Sequence, residues 1–264
     1  NGLISYVLEG YDTASEKSAS APSKGTDIIE STAIENSGIT VKKPRNTVKA
    51  VFSFSGKNGM EIPDIPKSCF QKVITEKGSA TVTVTSELCR GDKPEKQDTL
   101  PNLYEDSNNR NITEAARKVS EGAPDSNEII KRMVRFVFKH IKDKNYKFGN
   151  LSASEVLAKK AGDCTEHSTL LAALLKSLNI PVKMAYGIVL DDQGRFFFHN
   201  WNVAFNGTDW IPVDATFGME KADSSRVVLI FGSGSSRSRE DVSLTVLKFM
   251  RTIEIVVMGF EYEK

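Results

Sequence analysis

The chain has 264 residues, 39% hydrophobic and 26% charged, and its 35 lysines and arginines against 34 acidic residues leave a net charge of +1. This is the composition of a globular protein with ample core, and so even a balance gives no electrostatic case for nucleic acid or a membrane surface. No apolar stretch approaches a membrane span, and the three cysteines and three histidines fit no zinc spacing, so no integral membrane segment, metal or cofactor is expected.

Residue 1 is Asn and no signal peptide is visible, which reads as a mature or trimmed product. Residues 1–110 read as a β-rich domain with a linker. Tyr11 to Ile34 is rich in Ser, Ala, Thr and Lys without periodicity and reads as a loose loop. "KAVFSFSG" (49–56) and "SATVTVTSEL" (79–88) alternate apolar and small polar residues, the period of half-buried strands. The polar, proline-punctuated stretch 90–111 is the expected boundary, and its Arg90–Asp92 tripeptide reads as a turn.

From Asn111 the pattern turns helical. "NITEAARKV" opens on Asn111 as a cap, and "DSNEIIKRMVRFVFKHI" (125–141) on Asp125 or Ser126. "SASEVLAKK" (152–160) is a short third helix, and a fourth begins at Cys164. After Pro181 the period returns to two, predicting strands near 182–190, 195–205, 209–215, 226–231 and 244–260, with a loop over 232–241. Helices followed by an antiparallel sheet make an α+β plan.

In "GDCTEHSTLLAALLKSLNI" (162–180), Asp163 and Glu166 have the spacing of a capping box. Cys164 then takes the first helical position, where unpaired N–H groups and the helix dipole favour a thiolate and can hold an oxyanion. The flanking carboxylates oppose this by raising the thiol pKa, so a cationic partner is required. Leu171 and Leu175 share the cysteine's side of the helix, so the thiol is expected to point toward the sheet. Taken alone, such a cysteine is better explained as a small buried hydrophobe, and the partner decides against that.

"RFFFHNWNVAFNGTDWIPVDATFG" (195–218) contains Asn206-Gly207 between two strand-like runs, a strong hairpin signal. A two-residue loop there sets 205 opposite 208, 203 opposite 210, and His199 opposite Asp214, within reach across the strands. His199 would share a buried face with Phe197, Trp201, Val203 and Phe205. Pro212 would fall opposite Trp201 and could not donate to the ladder, so a bulge or a shifted register is the alternative. A thiol at a helix start, an imidazole and an orienting carboxylate make a nucleophile, base and acid. His167, one turn into the helix, is the rival base, but no acid is placed to orient it and it reads as structural.

These two stretches, with "SASEVLAKKAGDC", "ADSSRVVLI" and "TIEIVVMGFEYE", resemble the transglutaminase-like superfamily in its bacterial members, over roughly residues 111–264. The resemblance implies a papain-like core in which a helix carrying Cys164 packs on an antiparallel sheet carrying His199 and Asp214. It implies acyl transfer through a thioester on a protein or peptide substrate: a cysteine amidase, protease or acyltransferase, with hydrolysis ahead of cross-linking. The alternative is a binding module that keeps the fold without the activity. Animal members carry an oxyanion-stabilising Trp upstream of the nucleophile, whereas Trp201 and Trp210 both lie downstream of it. Tyr146 or the Cys164 backbone N–H is the substitute candidate, with Trp201 a candidate substrate contact, and nothing resembles a calcium loop. Cys69 and Cys89 are either a disulfide or two buried thiols. One pair plus an odd reactive cysteine favours an exported or periplasmic protein over a cytoplasmic one.

Overall fold

Alternation places Ala50, Phe52 and Phe54 of β2 (Thr47–Gly56) and Ala80, Val82 and Val84 of β4 (Ser79–Thr85) on one buried face. The computed structural model describes residues 33–144, 151–232 and 239–263. β3 (Gln71–Glu76) pairs with β4, and β4 pairs with β2 through Phe52↔Val82. The fourth strand of this sheet is β9 (Ile253–Tyr262), which runs antiparallel to β2 from Thr47↔Tyr262 to Gly56↔Ile253. Its C-terminal strand therefore crosses the expected boundary at 110 and completes the sheet of the N-terminal half.

Helix α1 (Arg110–Ser120) is capped by Asn109, whose side chain accepts from Asn111 N at 2.9 Å, so the expected cap at Asn111 moves back two residues. Asp125 caps α2 (Ser126–His140), and a capping box at Ser152 opens α3 (Ala153–Lys159). Helix α4 (Cys164–Ser177) is buried nearly all round, with Leu170, Leu171, Leu174 and Leu175 fully inaccessible. A helix enclosed in this way can be held only by neighbours on all sides. Here α1, α2 and α3 cover it on one side and the second sheet on the other.

That sheet has the order β1-β6-β5-β8, with β7 also on β6; its strands are β1 (Ile34–Glu35), β5 (Val182–Leu190), β6 (Arg195–Phe205), β7 (Trp210–Val213) and β8 (Arg226–Gly232). All of its pairings are antiparallel. Most of the expected loop at 11–34 and of that at 232–241 lies outside the described residues. The expected strand over 244–260 is corrected: Arg239–Thr252 is helix α5, and only Ile253 onward is extended. Val242, Val246, Phe249 and Met250 are all buried, and their intervals of four, three and one are helical.

One continuous hydrophobic cluster joins Phe52 and Phe54, Leu170 and Leu174 of α4, and Phe249 of α5. Phe52 meets Phe196 edge-on at 5.8 Å between ring centres, tying the two sheets together. On the other side of the second sheet, Phe70, Trp201, Val203, Trp210 and Val228 form a separate cluster beside the Cys69–Cys89 disulfide.

The hairpin has a different register from the two-residue loop. Phe205 pairs with Trp210 and Asn202 with Val213, so the loop is the four residues Asn206–Asp209. The Asn206 side chain accepts from Thr208 N at 2.9 Å and Asp209 N at 2.8 Å, closing the wider turn that the Asn-Gly pair alone does not reveal. Pro212 falls opposite Val203, and its carbonyl accepts from Ala222 N at 2.7 Å. Asp214 thus lies just beyond β7 rather than across the ladder from His199.

Candidate active site

The site is built where β6 lacks a neighbour. On its outer edge β6 is paired by β1 at 195–196 and by β7 at 202–205. Residues 197–201 between them have no strand partner on that side among the described residues. Helix α4 is fastened to this strand by Asn200 Nδ2, which donates to Thr165 Oγ1 at 2.8 Å, and by Asn202 Nδ2, which donates to the Ser168 carbonyl at 3.1 Å.

The capping box opens α4 as expected. Asp163 Oδ1 accepts from Thr165 N at 2.8 Å, and Glu166 Oε2 accepts from Asp163 N at 3.0 Å. This fixes half-buried Cys164 at the first helical position, with the Asn200 backbone N–H directed at its sulfur. A strand's N–H lies in the plane of its sheet, so the thiol meets β6 at the open edge and not above either face. Burial pushes the thiol pKa well up, and the Asp163, Asp214 and Glu166 carboxylates add to this against the Asn200 N–H. The balance is a protonated thiol, the opposite of the thiolate that a helix start alone favours.

His199 is buried, and its Nε2 lies 2.8 Å from Asp214 Oδ2. Nε2–H therefore donates to the carboxylate, leaving Nδ1 as the free nitrogen. No hydrogen bond joins the ring to the Cys164 thiol among the described residues. The imidazole stacks on Trp201 at 6.0 Å and is covered by Phe217 at 5.1 Å. Trp201 is only 1% exposed, a wall behind the imidazole rather than an open contact surface, and its Nε1 has no hydrogen-bond partner among the described residues. Tyr146 lies outside the described residues.

Asp214 is fully buried in a turn closed by its own N–H to the Met219 carbonyl at 2.9 Å and the return bond at 2.8 Å. Its Oδ1 accepts from Thr216 N at 2.9 Å, while Oδ2 accepts from both His199 and Arg226. Burial would raise the carboxyl pKa, but the charges and hydrogen bonds of His199 and Arg226 outweigh it and hold the group well below the usual carboxylate range. His167 donates from Nδ1 to the Asp163 carbonyl at 2.6 Å, and burial lowers its pKa despite that bond. It is a neutral ring with no acid to orient it.

Sequence reasoning missed the residues behind Asp214. Arg226 opens β8, donates to Asp214, and donates through Nη2 to Asp223 Oδ2 at 2.6 Å. Arg45 Nη1 reaches the same Asp223 oxygen at 3.1 Å. The available signal was an arginine at the head of the apolar run "RVVLI", where a buried strand should carry no charge.

Residues 113–215 match the family model described as the transglutaminase-like superfamily, a segment that contains Cys164, His199 and Asp214. The likeness to the transglutaminase-like superfamily is thus confined to this segment, and β-strands precede it. Among solved structures it is similar to a provisionally assigned cysteine protease from Cytophaga hutchinsonii, at 15% identity and TM-score 0.47, covering 82% of this chain and 86% of that one. It is also similar to the periplasmic domain of TgpA from Pseudomonas aeruginosa, at 11% identity and TM-score 0.46, covering 70% and 87%. Red sea bream transglutaminase matches at 7% identity and TM-score 0.36, covering 70% of this chain and 47% of that one. No curated protein matches the sequence.

Proposed function

We infer that the chain is a cysteine-dependent acyl-transfer enzyme acting on peptide or glutamine-type carboxamides, with hydrolysis ahead of cross-linking. The observation that carries this reading is the buried His199–Asp214 hydrogen bond beside a helix that begins at Cys164. In the proposed sequence the Cys164 sulfur attacks the carbonyl carbon while its proton passes to His199 Nδ1. The tetrahedral intermediate collapses, the amine leaves with that proton, and a thioester remains on Cys164. Water attacks the thioester, giving its proton to His199, and the acid departs as the thiol is re-protonated; an amine in place of water gives cross-linking. The Cys164 N–H, which takes part in no described hydrogen bond, is the oxyanion donor favoured here. The Cys69–Cys89 disulfide fits an oxidising compartment.

A second reading, a binding module with this fold, is favoured by the upward push on the thiol and by its lack of a hydrogen bond to the imidazole. Hydroxylamine separates the two. With a library of glutamine-containing peptides, an enzyme forms a hydroxamate that disappears in Cys164→Ala. Saturable peptide binding without hydroxamate, hydrolysis or an acyl adduct on Cys164 would replace the enzymatic reading with the binding one.

A further inference from the structure

Three exposed aromatic side chains stand among the described residues: Phe138, Phe217 and Tyr262. Tyr262 lies on β9, where its hydroxyl accepts from Lys43 N at 3.3 Å. Phe138 near the end of α2 and Phe217 just beyond Asp214 are distant in sequence but meet at one place. A Cβ added at Gly218 would stand 3.0 Å from the Phe138 ring, so this ring rests on the backbone next to Phe217. Gly218 has a φ of +69°, which favours glycine, and its missing side chain leaves the room that Phe138 occupies. Phe138 is 40% exposed and Phe217 46%. A lone exposed apolar residue is ordinary, but a pair beside a reactive group is a surface that a partner can cover.

Both rings are held in place. Phe217 packs against the His199 imidazole with ring centres 5.1 Å apart, and the Arg45 guanidinium carbon lies 5.1 Å from the centre of the same phenyl ring. Arg45 is itself anchored, donating from Nη1 to Asp223 Oδ2 at 3.1 Å. Lys144 Nζ lies 4.9 Å from the centre of the Phe138 ring and donates to the Thr216 carbonyl at 3.0 Å. Each ring therefore lies beneath a tethered cation. The surface left exposed is apolar and loses little freedom on contact, as anchor residues of interfaces do. A charged side chain laid over these rings would lose water without gaining a hydrogen bond from them.

A carboxamide seated between Cys164 and His199 brings its flanking residues over whatever surrounds the imidazole. Trp201 behind that ring is buried, whereas Phe217 against it is open, and Phe138 continues the surface across Gly218. We propose that Phe217 and Phe138 determine specificity: they form a subsite for one large apolar or aromatic side chain of the peptide, next to the carboxamide that reacts. The proposal rests on the acyl-transfer reading and names its substrate class, a glutamine-type carboxamide flanked by a bulky apolar residue.

The test compares matched glutamine peptides carrying Phe, Leu, Glu or Gly at a position on either side of the glutamine, with hydroxamate formation read in the full chain. For the wild type, kcat/KM of the best-placed Phe or Leu peptide should exceed that of its Gly counterpart by about tenfold or more. Phe217→Ala and Phe138→Ala should each reduce that ratio, and the double variant should bring it near one. Taking the ratio within each variant removes any general loss from a shifted imidazole or a loosened fold, which would slow all peptides alike. Phe217→Leu, which keeps an apolar side chain, should retain most of the preference. A wild-type ratio near one, a ratio that survives the double variant, or a leading preference for Glu overturns the proposal. So does a double variant that alters self-association and leaves the ratio intact, the outcome expected if the rings cover a second copy of the chain. If no peptide gives a hydroxamate that depends on Cys164, the acyl-transfer reading falls, and this inference with it.

Discussion

Asp214 has both carboxylate oxygens occupied, one by backbone N–H and one by His199 and Arg226 together. Asp214→Asn keeps the shape, removes the charge and puts an amide donor where a carboxylate only accepted; the imidazole tautomer is then no longer fixed. Turnover should fall by about 10³–10⁴-fold with little change in fold, measured by peptide hydrolysis and circular dichroism. Glu166 also bears on the thiol. Burial, and then the adjacent Asp163, raise its pKa from 4.5 to about 7. A carboxyl that holds its proton more tightly when folded stabilises most below its unfolded value and loses that contribution as pH rises through the folded one. Wild-type stability should therefore fall between pH 4.5 and about 7, and Glu166→Gln should flatten that fall, as measured by urea titration at a series of pH values. The same change removes an anion that opposes thiolate, so Cys164 should label faster with iodoacetamide at alkaline pH.

Among the elements, β5 and β6 are closely constrained behind the imidazole. Gly187 lies opposite His199, and a Cβ there would meet the Val227 carbonyl at 2.0 Å and Trp201 Cη2 at 2.8 Å. Gly187→Ala should cost about 1–3 kcal/mol in stability and displace the wall behind the imidazole, lowering both the melting temperature and activity. Much of this architecture was legible because it depends on local chemistry. The capping box at Asp163 and Glu166 and the alternation of 182–190 and 195–205 each state their structure within a few residues. The hairpin register was not legible, because Asn206 closes the loop through its side chain and the Asn-Gly pair suggests a shorter turn. Helix α5 was hidden for another reason: Val242 and Val246 are β-branched, and tertiary burial overrides their extended preference. Arg226 and Asp223 stayed invisible because their partners are distant in sequence or lie in an unexpected turn.

For the molecule as a whole, the contacts by which the two halves hold each other include the shared hydrophobic cluster, the β2–β9 ladder, and Arg45 reaching Asp223. The Cys69–Cys89 bond closes a separation of 20 residues next to Trp210, and a loop of that size is worth about 3 kcal/mol through the unfolded state. The double variant Cys69→Ala, Cys89→Ala should unfold at lower urea by a corresponding amount, yet keep hydrolytic activity under conditions where it remains folded.

The position of β9 also bears on how the chain is made. Ile253 pairs with Gly56, so 253 − 56 = 197 residues separate partners that must lie side by side. At about 5–20 residues per second, a ribosome would leave the edge of β2 without its partner for about 10–40 s. During that interval the strand carrying Phe52 and Phe54 offers an open row of amides and carbonyls to any neighbouring nascent chain. Synthesis rate and holding by a chaperone, rather than the stability of the finished fold, would then set the yield of native protein.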